Sequence, residues 1–375
     1  MKIALVSNTS WYLKNFRLGL IRQLRSRNHQ IVIIAPEDDS TRVLQDAGGI
    51  FLPIKLTSKS RNVINEIVFL WRFALILKRE KPSIAFFFTV KPNIYGGLLA
   101  RLMDVRYVAT ITGLGTVFIN ENFTTRIVEC LYRFALNGAE QVFFQNNSDK
   151  KLFENRGLIR VDKGLTIPGS GVDTKIFSYS APVQKLETDE FVFLMIARMI
   201  RDKGVVEYCR ASKQVKDRFP KIECRLIGAV DIDNTTAIPK AELEQLVAES
   251  NVNFLSESDN IGKSIADSDC IVLPSYREGL SRVLLEAGAI GRPAITTDVP
   301  GCRDIIGHNT TGFLCRPRDT EDLIQKMIKM VQTPARIRED MGRAARDKIV
   351  GEFEARIVEA HYLAMVASAD EPLAN

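Results

Sequence analysis

The chain has 375 residues, 46% hydrophobic and 26% charged, with a formal net charge of +6, which is room for two domains and excludes a disordered or low-complexity polypeptide. Its most apolar segment, 67–77, is interrupted by Arg72 and is shorter than the ~20 apolar residues a bilayer span needs. The charge is uneven: residues 1–175 hold 25 Lys+Arg against 14 Asp+Glu, and the remainder 26 against 31, so a basic first half (+11) precedes an acidic second half (−5). A basic half of this kind faces something anionic, with a phospholipid surface, a diphosphate-bearing substrate and nucleic acid as the open candidates.

The chain opens on an apolar strand over 2–7, so no signal peptide is read there. The loop Asn8-Thr9-Ser10 leads into an amphipathic helix over 11–27, with Phe16, Leu20 and Leu24 at helical spacing, and then into a strand over 30–35. This β-α-β opening resembles half of a dinucleotide-binding fold, but its G-x-G-x-x-G fingerprint is missing, which argues against a dinucleotide site. A helix over 42–47, a strand over 50–56, a long helix over 62–79 and a strand over 84–90 follow. Residues 91–97 then read as a polar, glycine-bearing loop. Beyond it come a helix over 98–103, a strand over 106–112 ending in Gly113-Leu114-Gly115, a helix over 124–136, a strand over 141–145, a helix over 148–155 and a strand over 165–168.

Gly169-Ser170-Gly171-Val172-Asp173 is a glycine-bearing boundary, and 178–188 reads as a polar linker. A second alternation then begins: strand 191–196, helix 205–218, strand 223–227, helix 240–250, strand 252–255, helix 261–266 and a strand over 269–274 with the apolar run CIVL. Residues 276–297 (YREGLSRVLLEAGAIGRPAITT) supply a loop, a helix and a further strand. A strand over 311–314, helices over 321–332 and 335–350, and an amphipathic helix over 354–368 complete the chain. Two successive alternating halves predict two doubly wound α/β domains with a cleft between them.

The chemistry concentrates in the second half. Glu278 and Glu286 have seven residues between them. With a helix starting near Gly279, Glu286 stands about two turns along it, and Gly279, Leu280 and the first helical amides line a loop at the carboxyl end of a parallel strand. The two carboxylates read either as a general acid and base or as acceptors for sugar or ribose hydroxyls. Arg198 and Lys203 follow the strand over 191–196 at the same edge, where two cations suit a diphosphate leaving group. Asp231-Ile232-Asp233 has the spacing of a metal-bridging pair, but it stands without a neighbouring histidine or third acid and reads as a solvated loop. The histidines, His29, His308 and His361, fall in no catalytic pattern. Cys130, Cys209, Cys224, Cys270, Cys302 and Cys315 show no C-x-x-C spacing and read as reduced core thiols. In the first half, Lys91-Pro92-Asn93 and Thr112-Gly113-Leu114-Gly115 read either as cleft-lining loops or as plain turns. The helix over 62–79, with Arg61, Arg72, Lys78, Arg79 and Lys81 around Phe69, Trp71 and Phe73, reads either as half-buried in its own domain or as lying on a membrane.

Arg198, Lys203-Gly204, Tyr276-Arg277-Glu278-Gly279, Glu286-Ala287 and Gly291-Arg292-Pro293 together resemble the retaining glycosyltransferases of family 4, over nearly the whole chain. The resemblance implies a GT-B fold: two Rossmann-like domains facing across a cleft, 1–172 with a returning helix in 354–375 for the acceptor, and 173–353 for the nucleotide sugar. It implies that Arg198 and Lys203 hold the donor diphosphate and Glu278 the donor sugar. Glu286 is implied to hold the ribose, and the backbone of Gly279, Leu280 and Ser281 to meet sugar and phosphate. No metal and no other cofactor is implied. On the acceptor side the candidates are Asn8, Lys91, Thr112 and Gly113. The first half departs from the family in having Asn8-Thr9-Ser10 where many members carry a glycine pair, and Thr112–Gly115 where many carry a histidine.

Within the family the resemblance leans to bacterial enzymes that add hexoses or N-acetylhexosamines from UDP-sugars to undecaprenyl-diphosphate-linked saccharides. That implies an anionic membrane as a peripheral contact, a place on the cytoplasmic face of the inner membrane, and no nucleic acid partner. Two other functions remain as alternatives: a UDP-sugar epimerase on the same fold, which needs cleft histidines that are scarce here, and a non-catalytic sugar-nucleotide-binding subunit.

Overall fold

In a computed structural model of the chain, the apolar runs become parallel strands and the amphipathic segments between them become helices. The structure describes the chain apart from residues 56–62, 115–122, 182–189, 231–233, 235, 259 and 371–375 and the side chains of 63–65, 123 and 124. Arg61, Gly115 and the Asp231/Asp233 pair therefore lie outside the described residues. The chain divides into two units, Met1–Ser170 with Ala355–Asn375, and Gly171–Glu354.

The first unit runs β1 (Lys2–Val6), α1 (Ser10–Ser26), β2 (Gln30–Ala35), α2 (Thr41–Asp46), β3 (Gly49–Pro53), α3 (Val63–Glu80), β4 (Ile84–Phe88), α4 (Gly97–Leu102), β5 (Arg106–Ile111), α5 (Phe123–Asn137), β6 (Gln141–Phe144), α6 (Asn147–Asn155) and β7 (Gly164–Thr166). The second runs β8 (Phe191–Ile196), α7 (Val205–Arg218), β9 (Ile222–Ile227), α8 (Lys240–Ser250), β10 (Asn253–Leu255), α9 (Ile261–Ala266), β11 (Cys270–Leu273), α10 (Arg282–Ile290), β12 (Ala294–Thr297), β13 (Gly312–Cys315), α11 (Thr320–Gln332) and α12 (Ala335–Glu352); α13 (Ala355–Asp370) then returns to the first.

The first sheet has the order β3-β2-β1-β4-β5-β6-β7, and every pair is parallel. Side chains alternate between its faces, so Ala4, Val6, Ala85 and Phe87 enter one core under α3 and α5, while Ile3, Leu5, Phe86 and Phe88 enter another under α1 and α13. Tyr362 of α13 plugs this second core: its ring lies 5.4 Å from Phe86, 5.8 Å from Phe88 and 5.1 Å from Phe143, and its hydroxyl is 3.0 Å from Thr110 Oγ1. The buried Arg17 guanidinium sits over the rings of Tyr12, Phe88 and Tyr362. Tyr362→Ala removes a fully buried aromatic and strands Thr110 Oγ1, so it is expected to destabilise the first unit by about 3–5 kcal/mol, read from the urea transition of that unit.

Residues 91–97 correct the sequence reading. They are helical, with a wide turn over Pro92–Gly96 that runs straight into α4. Pro92, Gly96 and Gly97 look like breakers in sequence, but the two glycines serve close approach: a Cβ on Gly96 would lie 2.7 Å from the Phe87 ring, and one on Gly97 2.7 Å from the Ala135 carbonyl oxygen. Asn93 secures the turn, its amide donating to the Thr110 carbonyl at 2.8 Å and its oxygen accepting from the Thr110 N–H at 3.3 Å. The apolar side chains of α3 divide between two faces. Phe69, Phe73 and Leu77 are buried, whereas Ile67, Trp71 and Leu75 form an exposed stripe, with Trp71 63% exposed.

The second sheet has the order β10-β9-β8-β11-β12-β13, also all parallel, around one core that includes Phe193, Tyr208, Leu285 and Phe313. Arg292 is buried where Gly-Arg-Pro leads into β12 and donates to the carbonyls of Ser268, Ser180 and Ala266, so it ties loops together.

Candidate active site

In the second sheet the chain leaves β8 towards β9 on one side and leaves β11 towards β12 on the other. The two loops at the carboxyl ends of β8 and β11 therefore part, and the crevice they leave is where open α/β sheets take ligands. After β8 the chain makes a short 3₁₀ turn over Arg201–Lys203 and ends it at Gly204, whose φ is +75°. After β11 it passes through Pro274, Ser275 and Tyr276 to Glu278 and Gly279. The loops meet in an ion pair, Lys203 Nζ to Glu278 Oε1 at 2.5 Å, with side-chain exposures of 21% and 11%. The Ser275 hydroxyl donates to the same carboxylate oxygen at 2.8 Å. Ser275 is itself fixed, because the buried Thr297 hydroxyl donates to its carbonyl.

The motif loop rests on the turn after β12. Gly301 (φ +79°) has the carbonyl oxygens of Glu278 and Gly279 each 2.6 Å from where a Cβ would stand, and its own carbonyl accepts from the Ser281 N–H at 3.1 Å. That bond holds Ser281 extended, so α10 starts at Arg282 rather than near Gly279. Glu286 consequently lies little more than one turn into the helix, not two, and is 8% exposed. The buried Ser281 makes no side-chain cap, and the first amides of α10 lack acceptors within the helix. The positive end of α10 thus adjoins the Lys203–Glu278 pair. Arg198 shares the loop after β8 and is exposed; it enters the site by position.

Burial raises the Glu286 carboxyl above the usual range, and the Arg282 guanidinium, at 2.7 Å, only partly offsets this. The folded chain therefore binds this proton more tightly than the unfolded one. The associated stability is present below the ordinary carboxylate pKa and is lost as pH rises through the folded value. Glu286→Gln is expected to match the wild type at pH 4 and to melt about 2–4 °C higher at pH 7, read from thermal transitions at both pH values.

The first sheet has its own point of divergence, between β1 and β4, whose register pairs Val6 with Phe87. Asn8 follows β1, Lys91 follows β4, and Thr112 and Gly113 follow β5, so the acceptor-side candidates all lie along this carboxyl edge. Lys91 Nζ is 2.5 Å from Glu66 Oε1 of α3. Thr89, between β4 and Lys91, has φ +71°, a conformation that β-branched residues rarely adopt and that marks strain. The hydroxyls of Ser7 and Thr89 are buried without a hydrogen-bond partner among the described residues.

Two family models match the chain: "Glycosyl transferases group 1" over residues 180–348 and "Glycosyl transferase 4-like" over residues 2–146. The chain belongs to these glycosyltransferases. Among curated relatives of the glycosyltransferase is the N,N'-diacetylbacillosaminyl-diphospho-undecaprenol alpha-1,3-N-acetylgalactosaminyltransferase of Campylobacter jejuni, 27% identical over 97% of each chain. Another is the UDP-Gal:alpha-D-GlcNAc-diphosphoundecaprenol alpha-1,3-galactosyltransferase of Escherichia coli, 24% identical over 84% of this chain and 81% of its own. Among solved structures, HepE of Anabaena in complex with UDP and glucose superposes with a TM-score of 0.80 at 16% identity, covering 98% of this chain and 100% of that one. A glycosyltransferase of Rickettsia africae gives 0.79 at 19% identity over 98% of both. The architecture is thus the GT-B fold, and the epimerase alternative finds no support.

Sequence reasoning about the glycosyltransferase missed Ser275, Glu207, Ser7 and Thr89, and gave Tyr276, the first residue of its motif, no role of its own. For Ser275 the signal was adjacency to the motif, and for Tyr276 membership of it. Glu207 and Thr89 gave none, since the first acts through a contact 69 residues away and the second through a backbone angle.

Proposed function

We propose that this glycosyltransferase moves a hexose or N-acetylhexosamine from a UDP-sugar to a saccharide carried on undecaprenyl diphosphate, with retention at the anomeric carbon and without a metal ion. The Lys203–Glu278 pair at the divergence of β8 and β11 carries this reading. A donor diphosphate arriving there competes with Glu278 for the lysine. Lys203 turns to the phosphate, Arg198 and the α10 amides add positive charge, and the freed carboxylate accepts a hydroxyl of the sugar. The bond from the anomeric carbon to the diphosphate oxygen breaks, the acceptor oxygen bonds to that carbon on the face just vacated, and the acceptor proton leaves on the departing diphosphate. Glu286 takes the ribose hydroxyls. The two cations take over the charge neutralisation a divalent ion would give.

The relatives named for undecaprenyl-diphosphate acceptors support the acceptor class, and HepE in complex with UDP and glucose supports the donor class. Asn8, Lys91, Thr112 and Gly113 then face the acceptor. The exposed stripe of Ile67, Trp71 and Leu75, flanked by Arg72, Lys78 and Arg79, suits an anionic cytoplasmic leaflet as a peripheral contact. The test incubates the protein with a panel of UDP-sugars, with and without undecaprenyl-diphosphate-linked saccharides, and measures UDP release. Release that requires the acceptor and attaches the sugar to it is expected; release of equal size without acceptor overturns the reading. Trp71→Ser is expected to lower co-sedimentation with phosphatidylglycerol vesicles about tenfold and to leave UDP binding unchanged.

A further inference from the structure

The two loops that hold Lys203 and Glu278 are joined by more than that ion pair. The Tyr276 N–H donates to the carbonyl of Asp202 at 2.8 Å, one residue before Lys203. Gly204 passes so close to Pro274 that a Cβ would lie 2.2 Å from its carbonyl oxygen. The Tyr276 hydroxyl then reaches into the first turn of α7 and donates to Glu207 Oε1 at 2.6 Å. Glu207 Oε2 is buried with no hydrogen-bond partner among the described residues, so among them this carboxylate is held through the tyrosine alone. A third loop closes over the ring: Arg318, after β13, lays its guanidinium 4.6 Å from the Tyr276 ring centre, from a left-handed backbone with φ +59°. Burial first, and the Glu207 carboxylate second, raise the tyrosine well above its ordinary pKa, which keeps its hydroxyl a donor.

We propose that Tyr276, held by Glu207 and roofed by Arg318, is the positioning residue that sets the distance between Lys203 and Glu278. It touches neither donor nor acceptor and works by fixing the two loops. The bland alternative is a packing tyrosine whose loss costs stability alone. The two differ in the consequence of losing only the hydroxyl, because the ring and its contacts then survive. This inference rests on the donor reading of the Lys203–Glu278 pair, so its test carries one arm that needs no substrate.

Full-length Tyr276→Phe, Glu207→Ala, Glu207→Gln and the double variant Tyr276→Phe/Glu207→Ala are compared with the wild type. The readouts are kcat and donor KM with the UDP-sugar the wild type uses, melting temperature, and amide hydrogen exchange of the 275–281 segment. Tyr276→Phe and Glu207→Ala are each expected to lower kcat about tenfold with donor KM within about threefold, and to speed exchange of that segment. The double variant is expected to be no worse than either single change, since both break one contact, and Glu207→Gln, which still offers an acceptor oxygen, to restore rate and protection. Wild-type kcat and exchange in Tyr276→Phe, additive losses in the double variant, or a lowered melting temperature with kcat unchanged each overturn the proposal. A wild type that turns over no UDP-sugar brings down the transfer reading instead, and the exchange arm then decides this one.

Discussion

Glu278→Ala is expected to lower kcat for sugar transfer about 10²–10³-fold while the melting temperature stays within a few degrees of the wild type. The size follows from position. The carboxylate is 11% exposed, accepts from Lys203 and Ser275, and belongs to a loop that Gly301, Ser281 and Thr297 hold in place from below. Removing it therefore deletes a charge already aimed into the crevice without loosening what surrounds it. Lys203 loses its resting partner but remains partly exposed, so its ammonium is solvated rather than stranded. Glu278→Gln separates charge from shape: it keeps an acceptor for Ser275 and for a sugar hydroxyl, and should fall between alanine and the wild type. UDP release and a thermal melt check all three proteins. Turnover at the wild-type rate in Glu278→Ala would remove this residue from the mechanism.

Gly204→Ala is the second large effect, and it strikes fold and site together. The new methyl would stand 2.2 Å from the Pro274 carbonyl oxygen, on a backbone with φ +75°. The left-handed conformation alone costs an alanine about 1 kcal/mol, and a contact that short forces the two loops apart by close to 1 Å. A displacement of that size at reacting groups lowers kcat about 10²-fold. Gly157→Ala supplies the control, because its φ is +61° yet nothing lies within 4 Å of the added carbon. It should lose stability by the conformational cost only and keep wild-type kcat. Equal kcat in the two variants would show that the close approach of Gly204 to Pro274 does not set the site.

Much of this was legible from residue order. The strand over 191–196 and the helices over 205–218, 240–250 and 261–266 stand where their apolar periodicity put them. A run such as FVFLMI, buried on both faces of a parallel sheet, has few other ways to fold. The shared edge of Lys203 and Glu278 was legible too, since both follow parallel strands of one half; their pairing was not, because it depends on the strand order that sets β8 beside β11. What resisted is what depends on contacts between distant residues or on backbone angles. Nothing in the residue type of Thr89 announces a left-handed backbone, because glycine or asparagine is the usual occupant. The start of α10 was misplaced because a carbonyl of Gly301, twenty residues on, holds Ser281 out of the helix. Pro92 and its neighbouring glycines were read as a loop because turn and close-approach glycines look alike in sequence.

The return of α13 to the first unit has a consequence for biosynthesis. The face of the first sheet bearing Phe86, Phe88 and Phe143 is completed by Val358, Tyr362, Leu363 and Val366, which leave the ribosome roughly 200 residues after β7. At ~5–20 residues per second, that face waits about 10–40 s for its cover while the entire second unit is being made and can fold. An aromatic surface bare for so long is a natural client for a ribosome-associated chaperone. A nascent chain arrested near 354 should therefore carry a sheet that is formed but sticky, and one that a Tyr362-bearing peptide added in trans can quench.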